Sequence, residues 1–345
     1  MDDKTVIDMN EAIISRRVYQ NTSLKKEPLV WNHEYFLLKY PERNRHVTHT
    51  FQVSSYMNNA ISEYVGCHIF DSVGIQTQQT FMAKRDGCMG VACKDFVERE
   101  KGYELQEFGD LANRYFSSSD LGRNPTLETI YYVYENHETL QEISEKAKER
   151  FWETFVIDAL IGNPDRHIGN WGFLVNPNTK AVKLAPVYDC GSSLYAKIDD
   201  LRIRELLASP KDIEMLVHRV PQGKITYEGK KYDYSTAFMT PIHSDCQNAL
   251  LSIFPKIDMK RIHTIIKDTP TITVERMELL TQITTNRYQQ ILQPAYEIAM
   301  KQQRETDKKQ LNIDKTDGRK RTDFLSPVSI DTQGWKFDKE EANER

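Results

Sequence analysis

Cysteine is scarce in this 345-residue chain, and its five cysteines lack the spacing of a metal site. They are Cys67, Cys88, Cys93, Cys190 and Cys246, an odd set without a C-x-x-C pair. A disulfide framework needs an even set and a zinc knuckle needs closely spaced pairs, so the sequence argues against both. We expect buried, unreactive thiols in a reducing compartment.

The chain also lacks an excess of one charge and any long apolar run. Lys and Arg total 46 against 50 Asp and Glu, and the net charge of -4 gives no general attraction to nucleic acid or to an anionic membrane. The N-terminal segment carries acids where a signal peptide needs bases, and no run of about 18 apolar residues occurs. The basic stretch Gly318–Arg321 is short and flanked by acids. We therefore expect a cytoplasmic protein with no membrane segment and no direct contact with nucleic acid.

The first hundred residues have the pattern of a small antiparallel sheet with one helix. Aromatic and branched residues predict strands, helical spacing of apolar residues predicts the helix, and Asp86-Gly87 favours a hairpin. The expected elements are a strand-like segment over Val30–Tyr40 with a plausible turn near Asn32 and Glu34, a helix over Asn58–Val73, and strands over Gln76–Ala83 and Met89–Cys93.

The rest of the chain is mostly helical by the same criteria. A long apolar face runs from Leu140 to a helix stop at Gly162. Further helices are expected over Lys211–His218, Gln247–Ile253, Met259–Lys267 and Val274–Met300, with Ser209-Pro210 and Asp258 as start signals. Beyond about Gln302 the sequence is polar, which favours a flexible tail.

A polar loop between two strand-like runs carries the residues with the clearest chemistry. Asp165 and Asn170 are five positions apart, and Asp189 follows a short hairpin later. Phosphoryl transfer needs a carboxylate beside the attacking hydroxyl and oxygen ligands for Mg²⁺, and protein kinases space these groups in this way. The three residues together indicate a phosphotransferase.

The segments NPDRHIGN and LAPVYDCGSSL resemble the catalytic loop and metal-binding segment of the HipA-like serine/threonine kinases of bacteria, in particular the shorter CtkA type without an N-terminal extension. The resemblance implies an α+β, two-lobed protein-kinase-like fold, with a small antiparallel-sheet lobe and a mostly helical large lobe. It implies that Asp165 orients or deprotonates a protein hydroxyl, while Asn170 and Asp189 ligate Mg²⁺ that bridges the ATP phosphates. His167 is expected to support the reaction, either by stabilising the developing charge or by holding the loop through hydrogen bonds, and Gly191 is expected to let the backbone turn beside Asp189.

On the nucleotide side, Lys39 resembles the strand lysine of the family and Glu63 its pairing glutamate on the following helix. The end of the last small-lobe strand falls where a hinge to the large lobe is required, and its backbone is expected to pair with the adenine edge. The hinge candidates are Cys93, Lys94, Asp95 and Phe96.

The segment before Lys39 departs from protein kinases because it contains no G-x-G-x-x-G loop. Ser23 and Lys25, or Lys26, are expected to meet the phosphates instead, which resembles the glycine-poor loop of HipA-like proteins. Ser23 is also a candidate autophosphorylation site that would expel nucleotide by charge repulsion.

These expectations divide the chain into a nucleotide-binding lobe over residues 1–97, a catalytic lobe over 98–302 and a polar tail over 303–345. Two alternatives stay open. The D-R-H-x-x-N pattern also resembles phosphoinositide kinases, which would make the acceptor a lipid or small molecule, and a pseudokinase would bind nucleotide without catalysis. An antitoxin-like partner is compatible with the resemblance but does not follow from the sequence.

Overall fold

The computed structural model describes residues 5–19, 26–41, 58–117, 125–218, 224–227, 229–231, 234–239 and 244–323. Residues 1–299 form one compact unit and residues 300–345 form a second. No helix within the described ranges is long and apolar enough to cross a membrane.

The N-terminal part of the chain builds a six-stranded sheet in the order β1-β5-β6-β4-β3-β2. Its strands are β1 Ile7–Asp8, β2 Ile13–Ile14, β3 Lys26–Trp31, β4 Glu34–Lys39, β5 Thr80–Arg85 and β6 Cys88–Lys94. The pairings are antiparallel, as the sequence predicts, apart from the parallel pairing of β1 with β5.

Two tight turns shape this sheet. Asp86 and Gly87 both have positive φ and join β5 to β6, so the predicted hairpin is confirmed. Asn32 and His33 also have positive φ and divide the predicted strand Val30–Tyr40 into β3 and β4. The plausible turn near Asn32 and Glu34 is confirmed at Asn32-His33, where it folds the strand-like segment back on itself as two paired strands.

Alternation along β4 determines which side chains face the helix α1, Asn59–Ser72. Phe36 and Leu38 belong to an apolar cluster on one face of the sheet, whereas Leu37 packs in the cluster that contains α1. Lys39 lies two residues beyond Leu37, so its side chain projects on the same face. The strand thereby directs a lysine towards the helix.

The remaining elements are mostly helical. The helices are α2 Phe108–Ala112, α3 Leu127–Asn136, α4 Ser144–Ile161, α5 Asp200–Leu207, α6 Pro210–His218, α7 Tyr234–Met239, α8 Ser244–Ile253, α9 Met259–Lys267, α10 Val274–Arg287 and α11 Gln293–Asp323, with a π-helical turn over Tyr288–Leu292. Two small antiparallel sheets accompany them, β7 Glu104–Glu107 with β8 Gly172–Val175 and β9 Val182–Leu184, and β10 Thr226–Tyr227 with β11 Lys230–Lys231.

Helix α4 is buried along most of its length and leads directly into the predicted catalytic loop. It ends where Gly162 takes a left-handed conformation with φ of 61°, and the N–H of Gly162 caps the carbonyl of Asp158. Glycine adopts this conformation without the cost that a Cβ would add. The helix stop predicted at Gly162 is therefore confirmed.

Several other element predictions can be compared with the structure. The helix Met259–Lys267 has the predicted bounds, and the Asp258 carboxylate accepts hydrogen bonds from backbone N–H groups of its first turn. The helices α2, α3, α5 and α7 were not predicted. The helix that begins at Gln293 continues to Asp323, although the polar composition beyond Gln302 did not indicate helix.

Candidate active site

Three charged side chains from distant parts of the sequence meet beside the sheet. Lys39 at the end of β4 is 9% exposed, and its Nζ lies 3.3 Å from Glu63 Oε1 on α1 and 3.3 Å from Asp189 Oδ1. The backbone N–H of Asp189 also donates to Glu63 Oε1 at 3.1 Å. The structure thus brings together three of the residues that the sequence assigns to the nucleotide and metal side.

The charges around Lys39 and Asp189 favour the ionised forms of these two groups. Burial alone would lower the pKa of Lys39, but the carboxylates of Asp189 and Glu63 raise that pKa well above its usual value. The charge of Lys39 in turn lowers the pKa of Asp189, against the opposing effect of burial. A cation and a carboxylate are therefore both held ready at neutral pH.

Asp165 and Asn170 lie within one compact loop after α4. The side-chain Nδ2 of Asn170 donates to the backbone carbonyl of Asp165 at 2.7 Å, and Asn163 Oδ1 accepts from the Asp165 N–H at 3.0 Å. The Asp165 carboxylate is 42% exposed, and Ser192 donates to its Oδ2 at 3.4 Å. Because Asn170 uses its amide nitrogen internally, its amide oxygen is the atom left to ligate a cation.

A buried ion pair connects this loop to the segment that carries Asp189. Arg166 Nε lies 2.8 Å from Asp158 Oδ2, and its Nη2 donates to Asp158 Oδ1 at 3.0 Å. Its Nη1 donates to the carbonyls of Asn170 at 3.1 Å and Tyr188 at 2.5 Å. Burial opposes the charge, but Asp158 raises the pKa of Arg166 well above its usual value. The sequence analysis missed this pair, whose only signal was an aspartate on the apolar face of α4.

His167 stabilises the loop by a local contact. Its Nδ1 accepts the N–H of Gly169 at 3.0 Å, and its backbone carbonyl accepts the N–H of Asn170 at 2.8 Å. Of the two supporting roles considered for His167, this geometry favours the structural one.

Gly191 is required for space rather than for a turn. Asp189 itself has φ of 60°, whereas Gly191 is absent from the positive-φ residues of the described chain. A Cβ at Gly191 would lie 3.0 Å from Glu63 Oε2 and 3.4 Å from the carbonyl of Asn59. The expectation that Gly191 supplies the backbone turn is therefore wrong, since Asp189 makes the turn and the packing of α1 excludes a side chain.

The predicted hinge residues continue from β6. Lys94 N–H donates to the Gln79 carbonyl at 2.9 Å, and Asp95 N–H donates to the Tyr35 carbonyl at 2.8 Å. These donors would have to exchange partners in order to pair with adenine. Cys93 is fully buried within the sheet, and Phe96 stacks on Tyr188 with ring centroids 5.6 Å apart. Phe96 is thus the hinge candidate that lies against the segment of Asp189.

On the phosphate side, Ser23 and Lys25 lie outside the described residues. Lys26, at the start of β3, is described, and burial followed by the nearby charge of Lys39 lowers its pKa. Lys26 is therefore a second lysine close to the cluster of Lys39, Glu63 and Asp189. From the sequence it was expected only as an alternative to Lys25.

The donor set suits a magnesium ion shared with phosphates. In the part of the chain that the structure describes, no three or more His, Cys, Asp or Glu side chains are grouped to hold a metal ion by themselves. Mg²⁺ is usually held by one or two protein oxygens and completed by phosphates and water. The carboxylate of Asp189 and the side-chain amide oxygen of Asn170 are ligands of that kind. Arg166 connects their two segments, because it donates hydrogen bonds to the backbone carbonyls of Asn170 and of Tyr188, which precedes Asp189.

Comparisons with known proteins identify the family of the chain. Residues 2–240 match the profile of the HipA-like C-terminal domain. The chain is 35% identical over 272 residues to the serine/threonine-protein kinase CtkA of Helicobacter pylori strain J99, a match that covers 79% of this chain and 81% of that protein.

Solved structures give the same result for the fold. The crystal structure of the Helicobacter pylori proinflammatory kinase CtkA superposes with a TM-score of 0.77 and 32% identity, covering 86% of this chain and 99% of that chain. A chain from the Shewanella oneidensis MR-1 complex of HipA, HipB and operator DNA has a TM-score of 0.50 and 13% identity, covering 81% and 67% of the two chains, and it supports the fold alone. The α+β, two-lobed kinase-like fold is therefore confirmed, and the chain belongs to the HipA-like family of serine/threonine protein kinases.

Proposed function

We propose that this kinase uses Mg²⁺ and ATP to phosphorylate a serine or threonine hydroxyl of a protein, with Asp165 as the group that receives the hydroxyl proton. The observation that carries the proposal is the cluster of Lys39, Glu63 and Asp189, because it joins a buried lysine to a carboxylate beside the Asp165 loop. Such an arrangement is what phosphoryl transfer requires, since catalysis rests on positioning and on charge stabilisation.

Each residue has a distinct role in this proposal. Lys39 neutralises charge on the ATP phosphates, and Glu63 holds Lys39 in place. The Asp165 carboxylate accepts a hydrogen bond from the acceptor hydroxyl and takes its proton as the new O–P bond forms. The bond between the γ-phosphorus and the bridging oxygen breaks at the same time, and ADP leaves.

Asn170 and Asp189 would hold Mg²⁺, which would neutralise phosphate charge when bound. The role of Arg166 is positional, because its hydrogen bonds to the carbonyls of Asn170 and Tyr188 fix the two segments relative to each other. These hydrogen bonds would keep the Asn170 amide oxygen and the Asp189 carboxylate correctly positioned relative to the Asp165 carboxylate.

The nucleotide contacts are part of the same proposal. Adenine would pair with the backbone of the hinge, Cys93–Phe96, and the phosphates would meet Lys25 or Lys26 and the backbone near Ser23.

We retain the division into a nucleotide-binding lobe over residues 1–97 and a catalytic lobe over 98–302. Ser23 remains a candidate autophosphorylation site and a cytoplasmic location remains an expectation. The likeness to the complex of HipA, HipB and operator DNA is too distant to propose an antitoxin-like or DNA partner.

The first test is incorporation of label from γ-labelled ATP with Mg²⁺, read by intact mass for self-phosphorylation and with casein as an added acceptor. We expect label with the wild type and with Asp307→Ala, a control at an exposed aspartate on α11. Asp165→Ala should lose incorporation while keeping thermal stabilisation by Mg²⁺-ATP. Asp189→Ala should lose both the incorporation and the Mg²⁺ dependence of that stabilisation.

Two outcomes would contradict the assignment. Incorporation by Asp165→Ala at the wild-type rate would remove the proposed proton acceptor. Mg²⁺-ATP binding without incorporation by the wild type would favour the pseudokinase alternative or a lipid or small-molecule acceptor.

A further inference from the structure

A lysine from outside the catalytic loop contacts the proposed proton acceptor. Lys224 Nζ lies 3.5 Å from Asp165 Oδ1, and its side chain is 33% exposed. It precedes β10 and lies about sixty residues beyond the loop in sequence. We propose that Lys224 is a catalytic residue that supplies positive charge on the acceptor side, first orienting the Asp165 carboxylate and then stabilising the γ-phosphoryl oxygens during transfer. The inference rests on the proposed role of Asp165.

Two other cations of the site, Lys39 and Arg166, have partners away from the Asp165 carboxylate. Lys39 lies between Glu63 and Asp189 on the nucleotide side. Arg166 is buried and is occupied by Asp158 and by two backbone carbonyls. Among the described residues, Lys224 is the cation placed within 4 Å of the Asp165 carboxylate. It is therefore the positive charge available to the transferring group beside Asp165.

The backbone of Lys224 is anchored, so its position is not that of an unconstrained surface lysine. The next residue, Ile225, is 4% exposed and packs in the main apolar core. Thr226 N–H donates to the Pro125 carbonyl at 3.0 Å, and Thr226 forms a parallel bridge with Thr126. These contacts hold the start of the β10–β11 hairpin against α3 and present the Lys224 side chain to the loop.

Proton transfer to Asp165 would change which group attracts Lys224. Before the reaction its charge is balanced by the ionised Asp165 carboxylate. When Asp165 takes the hydroxyl proton, that carboxylate becomes neutral and the attraction is lost, while the phosphoryl oxygens on the reacting side still carry negative charge. A charge aimed at such oxygens lowers the barrier, and removing one comparable stabilising group typically costs about 10²–10³ in kcat. For a partly exposed lysine we expect a loss of about 10–100-fold.

The alternative is an ordinary exposed ion pair, which contributes about 0–1 kcal/mol to stability and nothing to catalysis. The test compares Lys224→Ala and the neutral Lys224→Gln with Lys224→Arg. Lys84→Ala serves as the matched control, because Lys84 Nζ forms a similar exposed pair, 3.3 Å from Asp8 Oδ2, away from this loop. Kinetics would use γ-labelled Mg²⁺-ATP with casein and self-phosphorylation as readouts, alongside Mg²⁺-ATP affinity and Tm.

We expect both neutral variants to lose about 10–100-fold in kcat, with ATP affinity and Tm matching Lys84→Ala, and we expect Lys224→Arg to recover most of the loss because it restores the charge. Neutral variants with wild-type kcat would overturn the inference. A loss of kcat that is accompanied in both neutral variants by a similar fold loss of ATP affinity, or by a Tm below that of Lys84→Ala, would also overturn it. So would a loss of kcat that Lys224→Arg does not recover. If the wild type itself incorporates no label, the proposed function fails and this inference fails with it.

Discussion

Removing the carboxylate of Asp158 is expected to destabilise the protein strongly. Asp158 and Arg166 are 1% and 6% exposed, and they share two hydrogen bonds of 2.8 and 3.0 Å. In Asp158→Ala the guanidinium would keep its two carbonyl partners but would remain buried without a counter-charge. Breaking a buried pair in this way costs about 3–5 kcal/mol, a large share of the roughly 5–15 kcal/mol that stabilises a typical domain.

The assay is urea unfolding at 25 °C without nucleotide, followed by tryptophan fluorescence, since Trp152 is buried on the same helix as Asp158. The control is Arg202→Ala, which removes an exposed pair with Glu205 at 2.5 Å and should cost less than about 1 kcal/mol. A shift of the unfolding midpoint in Asp158→Ala no larger than that of Arg202→Ala would refute the reasoning.

A double variant separates stability from catalysis. Asp158→Leu with Arg166→Met replaces the pair by apolar side chains, and such replacements are often neutral or stabilising. Stability should therefore largely recover. Phosphate transfer should not, because the double variant lacks the hydrogen bonds that join Asn170 to the Tyr188 segment, and misplacement by about 1 Å can cost about 10²-fold. Full activity in the double variant would show that the pair has no positioning role.

Three further changes test separate parts of the site. Gly191→Ala should weaken Mg²⁺-ATP binding about tenfold or more in a calorimetric titration, because its Cβ would displace Glu63 by crowding Oε2, and an unchanged affinity would contradict this. Burial, and secondarily the nearby carboxylates, raises the pKa of Glu107 from 4.5 to about 7. Because the folded state favours the protonated form, the free energy of unfolding should fall as pH rises from about 4.5 to 7. Glu107→Gln should flatten that dependence in Tm measurements at pH 5, 6 and 8, whereas parallel profiles would refute the assignment. Gly162→Ala should lower the free energy of unfolding in urea by more than about 2 kcal/mol, because φ of 61° disfavours alanine and the added Cβ would collide with the buried guanidinium of Arg287. A loss below about 1 kcal/mol would contradict this.

Much of the local structure followed from the sequence alone. The cap at Asp258, the turn at Asp86-Gly87 and the stop at Gly162 are signals that act over a few residues, and each predicted the observed element. A turn was also expected near Asn32 and Glu34 and is found at Asn32-His33, but the flanking apolar residues did not show that it separates two paired strands.

For the site, the sequence named the residues that are proposed to carry the chemistry, and the tertiary structure decided which of them lie together. The spacing of Asp165 and Asn170 is a property of one loop, so the sequence could assign it, and chain order with family resemblance named Lys39, Glu63 and Asp189. The contact between Lys39 and Asp189 joins positions 150 residues apart and depends on how β4 packs against α1. The Arg166–Asp158 brace and the approach of Lys224 to Asp165 had no comparable signal. Pairs of this kind form only when separate elements pack together, because no short-range sequence pattern specifies which distant charged residue will lie beside a given side chain.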